Sequence, residues 1–204
     1  MNFKRISVIL LCGVCCMGLA ACDNKSSSSS ASEGVSQSDE TSAQSAASTE
    51  NLMQREVVPE NKYDSPTLVV DSISAKAGEQ KVPVRVFVFN NKGYNLCGLR
   101  FLYDKQLKPQ YNAEDATAEF TAGVACAGMM AAAFADPDEG MIGFASMGVN
   151  DLAKDGELFT VYLDVPQNAK SGTEYLINLE VEDFTNTAGD QIAQEIVAGK
   201  IVVE

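Results

Sequence analysis

The side chains that could do chemistry in this chain are carboxylates and thiols, because it contains 28 Asp and Glu, six Cys and no histidine. Without an imidazole, Ser-His-Asp and Cys-His nucleophile arrangements and histidine metal sites are excluded. Paired carboxylates can still hydrolyse glycosidic bonds. Most of the acids, however, fall in turns or on the polar side of alternating segments, where solvated surface charge is the simpler reading. Asp136-Pro137-Asp138-Glu139-Gly140 looks superficially like a calcium loop but lacks the spacing and closing glutamate of an EF-hand, so it reads as a hairpin turn. Cys97 and Cys126 either pair in an oxidising compartment or remain free buried thiols, the second being the plainer expectation.

The remaining chemistry lies at Cys22. Lys4 and Arg5 are followed by an uncharged apolar run from Ile6 to Leu19, and then by Leu19-Ala20-Ala21-Cys22, the layout of a secretory signal. The run of about 14 residues is shorter than the roughly 20 needed to span a bilayer as a helix. The arrangement resembles a bacterial lipoprotein signal, residues 1–21. That resemblance implies cleavage before Cys22, lipid chains on its thiol and amine, and an anchor outside the cell membrane. Several chains hold far better than one, at about 0.8 kcal/mol per buried methylene.

Residues 22–62 carry a serine run from Ser26 to Ser30 and few large apolar side chains, so they are expected to form a disordered tether. About 40 such residues reach on the order of 35 Å as a flexible coil. Residues 63–204 then have the size of one domain with one core. The net charge of -13 argues against nucleic acid or anionic lipid surfaces as partners.

Within that domain, short apolar runs alternate with period two between turn signals, which predicts an all-β sandwich of about nine strands. Val82 to Phe89 is one such run. Phe159, Val161, Leu163 and Val165 alternate with Leu158, Thr160, Tyr162 and Asp164, as do Tyr175, Ile177, Leu179 and Val181 with Leu176, Asn178, Glu180 and Glu182. Asn90-Asn91-Lys92-Gly93, Lys154-Asp155-Gly156, Lys170-Ser171-Gly172 and Ala188-Gly189-Asp190 supply turns between them.

The order of these pieces resembles the cohesins, the modules that receive dockerins in cellulosomes. The resemblance runs from about Thr67 to Glu204. It rests on Ala77-Gly78-Glu79 before Val82-Pro83-Val84-Arg85-Val86, on Cys97-Gly98-Leu99-Arg100-Phe101-Leu102-Tyr103-Asp104, and on the Asp136 to Gly140 turn. Asp155-Gly156-Glu157-Leu158-Phe159, Asn168-Ala169-Lys170-Ser171-Gly172-Thr173, Val181 to Asp190 and Gly199-Lys200-Ile201-Val202-Val203 complete it.

The resemblance implies a nine-stranded jelly-roll β-sandwich that performs no chemistry, needs no cofactor and binds dockerin-containing proteins, with calcium carried by the dockerin. In cohesins the docking face is built largely from the third, fifth, sixth and eighth strands. Transferred to this chain, the third strand puts Leu99, Phe101 and Tyr103 inward and Leu96, Gly98, Arg100 and Leu102 outward. The sixth puts Ile142 and Phe144 inward and Gly143, Ala145 and Met147 outward, and the fifth puts Met130, Ala132 and Phe134 outward. Leu96 and Gly98 stand where many cohesins have Asn and Asp, so the expected face is small and apolar, with Arg100 as its charged contact. Methionines suit such an adaptable surface. The alternative is a carbohydrate-binding sandwich. Sugar platforms use exposed aromatic rings, and the chain has no Trp and six Tyr.

Overall fold

Period-two alternation yields twelve strands in two six-stranded sheets in a computed structural model that describes residues 60–204. The signal, Cys22 and the tether up to residue 59 lie outside the described residues. The strands are β1 (Thr67–Val70), β2 (Ser72–Ala75), β3 (Val82–Phe89), β4 (Tyr94–Tyr103), β5 (Lys108–Pro109) and β6 (Phe120–Ala122). After a short 3-10 turn at Val124–Cys126 come β7 (Met130–Asp136), β8 (Met141–Leu152), β9 (Gly156–Asp164), β10 (Glu174–Thr185), β11 (Glu195–Val197) and β12 (Gly199–Val203). One sheet runs β11-β1-β3-β9-β5, with β6 also on β9, and the other runs β2-β12-β10-β4-β8-β7.

The two ends of the chain's β-structure explain why more segments appear than the jelly-roll count. β1 and β2 form one strand that changes sheet at Asp71, and β11 and β12 form another that changes sheet at Ala198. With β5 and β6 taken as one interrupted rung, nine strands result. The two changes of sheet meet. A Cβ on Gly199 would overlap the carbonyl oxygen of Asp71, so only glycine lets the two backbones approach this closely. Beside this corner, Arg85 Nε donates to Asp71 Oδ2 at 2.6 Å, and both side chains are nearly buried, at 11% and 8% exposure.

Between the sheets lies a layer of aromatic rings. Phe144 of β8 stacks on Phe159 of β9 with centroids 4.1 Å apart, Phe101 of β4 meets Phe159 edge-on, and Phe120 meets Phe144 edge-on. Tyr94 packs on Phe184, and its hydroxyl donates to the Ala125 carbonyl at 2.6 Å. Cys97 and Cys126 are free and buried, and burial pushes both thiols above their ordinary range. Leu158 departs from the expected alternation. It is buried in the core alongside Phe159, because the β3–β9 pairing skips from Val86–Phe159 to Phe87–Glu157 and leaves Leu158 as a bulge residue.

Burial lifts the Asp71 carboxyl above its usual value, while Arg85 pulls it the other way. A carboxyl raised in the folded state contributes most stability below its unfolded pKa and loses that contribution as pH rises. Removing the Arg85 guanidinium leaves the buried Asp71 carboxyl without its cation. Arg85→Met is therefore expected to cost about 3–5 kcal/mol near neutrality. By the same linkage, denaturation midpoints at several pH values should show the deficit shrinking as Asp71 is protonated. A deficit independent of pH would contradict this role.

Candidate partner-binding face

β10, β4, β8 and β7 are consecutive neighbours in the second sheet, and their outward residues form a continuous surface. On β4, Cys97, Leu99, Phe101 and Tyr103 are buried, which turns Leu96, Gly98, Arg100 and Leu102 outward. On β8, burial of Ile142, Phe144 and Ser146 turns Gly143, Ala145 and Met147 outward. β7 buries Ala133 and Ala135 and therefore presents Met130, Ala132 and Phe134. Pairing then sets these residues in rows across the sheet. Thr185, Leu96, Met147 and Met130 make one row, Asp183, Gly98, Ala145 and Ala132 the next, and Glu180, Arg100, Gly143 and Phe134 a third.

The surface is apolar toward β7 and β8. Met130 is 77% exposed, Met147 56% and Phe134 53%, with Val149 at 91% further along β8; on the other side, Leu176 of β10 is 69% exposed. Five of the large exposed hydrophobic side chains among the described residues thus lie on strands of this one sheet. Exposed apolar patches of this kind are a general feature of interaction surfaces.

Two expectations about this face change. Gly143 faces outward, yet it is buried, because the ring of Phe134 lies across it and would collide with any Cβ there. Its role is to seat that ring against the sheet. Arg100 is not a free cation: its Nη1 donates to Glu180 Oε2 at 2.8 Å, and its Nε lies 4.0 Å from Glu182. The outward carboxylates of β10 join the face as well, since alternation with buried Tyr175, Ile177 and Leu179 turns Glu180 outward. The Cβ atoms of Asp183 and Glu182 both flank the outward side of Gly98.

β7 borders the sheet, and its far edge is partly occupied. The Ala118 amide donates to the Ala133 carbonyl and the Ala135 amide to the Ala116 carbonyl, with a bridge between Thr117 and Phe134. This limits pairing with a foreign strand. The Asp136 to Gly140 segment is the β7–β8 turn, in which the Asp136 carboxylate accepts from the Glu139 amide at 3.2 Å and Gly140 takes φ +66°. Among the described residues, no cluster of three or more His, Cys, Asp or Glu side chains is arranged to hold a metal ion.

No family model matches the sequence, and no curated protein matches it. Solved structures do. A type III cohesin module from a cell-surface anchoring scaffoldin of Ruminococcus flavefaciens is 25% identical, with a TM-score of 0.58, over 71% of this chain and 93% of that one. A non-cellulosomal cohesin from the archaeon Archaeoglobus fulgidus is 15% identical, with a TM-score of 0.57, over 69% and 91%. A type I cohesin–dockerin complex from Clostridium thermocellum gives 18%, 0.55, 69% and 100%. The chain has the cohesin fold, and the jelly-roll sandwich expected from its sequence is the architecture found.

The facing of β7 and β8 can be tested by stability alone. Ala145→Arg should stay within about 0.5 kcal/mol of the parent, as exposed substitutions do, whereas Ala133→Arg should lose about 3 kcal/mol or more by burying a charge. Similar losses in denaturant titrations of the two variants would mean that the register is wrong.

Proposed function

We propose that this cohesin-fold domain is a receptor for dockerin modules, that it binds them on the outer face of β10, β4, β8 and β7, and that it does no catalysis. The observation that carries the reading is the concentration of exposed Met130, Phe134, Met147, Val149 and Leu176 on one sheet of the fold. Cohesins of the same fold occur in complexes with dockerins. The small outward residues Gly98, Ala132 and Ala145 give the centre of the face a low profile, over which a partner's side chains can reach the sheet. Calcium belongs to the dockerin in this reading, and no cofactor is assigned to the chain. The lipoprotein-like signal supports display outside a bacterial cell through lipid on Cys22, with residues 23–62 giving reach. The chain would thereby attach dockerin-bearing enzymes or scaffold proteins to the surface.

The test uses intact cells that produce the full chain, probed in calcium with labelled dockerins from a dockerin-rich secretome. At least one dockerin should be retained, the Ala145→Arg chain should lose that retention by tenfold or more, roughly 1.4 kcal/mol, and Cys22→Ala should move the binding activity into the medium. Retention of polysaccharide with no dockerin retained would overturn the reading in favour of a sugar-binding sandwich.

A further inference from the structure

A cleft of about 400 Å³ opens at the end of the sandwich where β2 turns into β3, β4 passes to β5 and β9 turns into β10. That volume lies within the roughly 300–1,000 Å³ of small-molecule sites. Gln80 comes from the first connection, Gln106 and Lys108 from the second, and Asp164, Gln167 and Asn168 from the end of β9 and the loop beyond it. None of the residues that line it belongs to β10, β4, β8 or β7, so the cleft is separate from the sheet face described above.

Backbone hydrogen bonds fix its walls. The Gly78 amide donates to the Pro166 carbonyl at 3.1 Å and the Val165 amide to the Glu79 carbonyl at 2.8 Å, which ties the first and third connections together. Gly78 takes φ +77°, a conformation that favours glycine, and so turns the chain against Gln167. β5 pairs with β9 through Lys108 and Asp164, which puts those two side chains on the same face of their sheet.

The side chains of the cleft divide by whether the fold has used them. The Asp164 carboxylate is engaged, because its Oδ1 accepts from the Lys81 amide at 2.8 Å and from Gln110 Nε2 at 2.7 Å. The exposed carboxamides of Gln80, Gln106, Gln167 and Asn168 make no hydrogen bond among the described residues, whereas those of Asn61, Asn90, Asn91, Gln110 and Asn186 are spent on the fold. A carboxamide offers donors and an acceptor together, which matches a hydroxyl, itself both donor and acceptor. Charge points the same way. One cation, Lys108, and one carboxylate, Asp164, leave the lining without net charge in a chain whose net charge is -13, so an ion finds no unopposed countercharge there. Val165 and Pro166 add a small apolar surface.

We infer that this cleft binds a neutral saccharide, with hydroxyls held by the carboxamides of Gln80, Gln106, Gln167 and Asn168 and the C–H face of a sugar ring over Val165 and Pro166. No aromatic ring lines the cleft, so the sugar is gripped by hydrogen bonds at its edges instead of by stacking, and the affinity is modest. Occupation of the cleft leaves the sheet face open, and the inference stands apart from the reading of that face.

The experiment titrates the full chain with two neutral oligosaccharides and follows the carboxamide side-chain resonances by NMR. Cellotetraose models plant polysaccharide, and chitotetraose models the glycan of a bacterial wall. The parent is compared with Gln106→Ala/Asn168→Ala, which removes one carboxamide from each of two walls. Both residues are exposed, so the double variant should melt with the parent. Expected is saturable, millimolar binding of at least one oligosaccharide, weakened about tenfold in the double variant, with the sugar that binds identifying the source. No saturable shift with either sugar, equal affinity in the parent and the double variant, or shifts centred on the β10-β4-β8-β7 face instead of the cleft would each overturn the saccharide site.

Discussion

The stacked layer of Phe101, Phe144 and Phe159 between the sheets is the constraint on which the candidate face depends. Fully burying a side chain of this size contributes about 1.5–3 kcal/mol, and a strand that slips by one residue exchanges its two faces. With Phe101 and Phe144 committed to the core, Arg100 and Gly143 have only the outside left to them. The candidate face is thus the reverse of the core layer. Its composition can vary so long as the aromatic side holds the register.

The corner at Asp71 and Gly199 does the complementary task. By letting the first and last strands change sheet side by side, it ties both ends of the β-structure to both sheets and keeps that closure away from β4, β8 and β7. The Arg85–Asp71 pair sits at this corner, on the sheet opposite the candidate face. Stability and the proposed recognition therefore draw on different residues. The face can carry exposed methionines and an acidic strip at little cost to the fold.

How much of this was legible in the sequence follows from the range of the signals. Alternation in Leu96 to Tyr103 and in Met141 to Met147 is local, and it gave the inward and outward residues of β4 and β8. The stretch from Met129 to Ala135 is apolar on both sides, so its facing needed the partner strand; pairing of Met130 with Met147 supplies it. Gly143 reads as an outward position from its own strand, and the ring that covers it comes from another. Arg100 reads as the face's charged contact from its own strand, and its pairing with Glu180, 80 residues away in sequence, is a product of the fold. The bulge at Leu158 and the break at Asp71 are likewise products of pairing, which no single strand's pattern contains.

Side-chain oxidation by hydroxyl radicals tests the account where it is most specific, because the candidate face carries exposed thioethers and Met141, on the same strand as Met147, is buried. With a calcium-loaded dockerin bound to the full chain, Met130 and Met147 should lose most of their reactivity, Met141 should stay slow, and Tyr111 and Val197, which lie off the face, should react as before. Undiminished oxidation of Met130 and Met147 in a saturated complex, with protection appearing at Tyr111 or Val197, would contradict the assignment of the face.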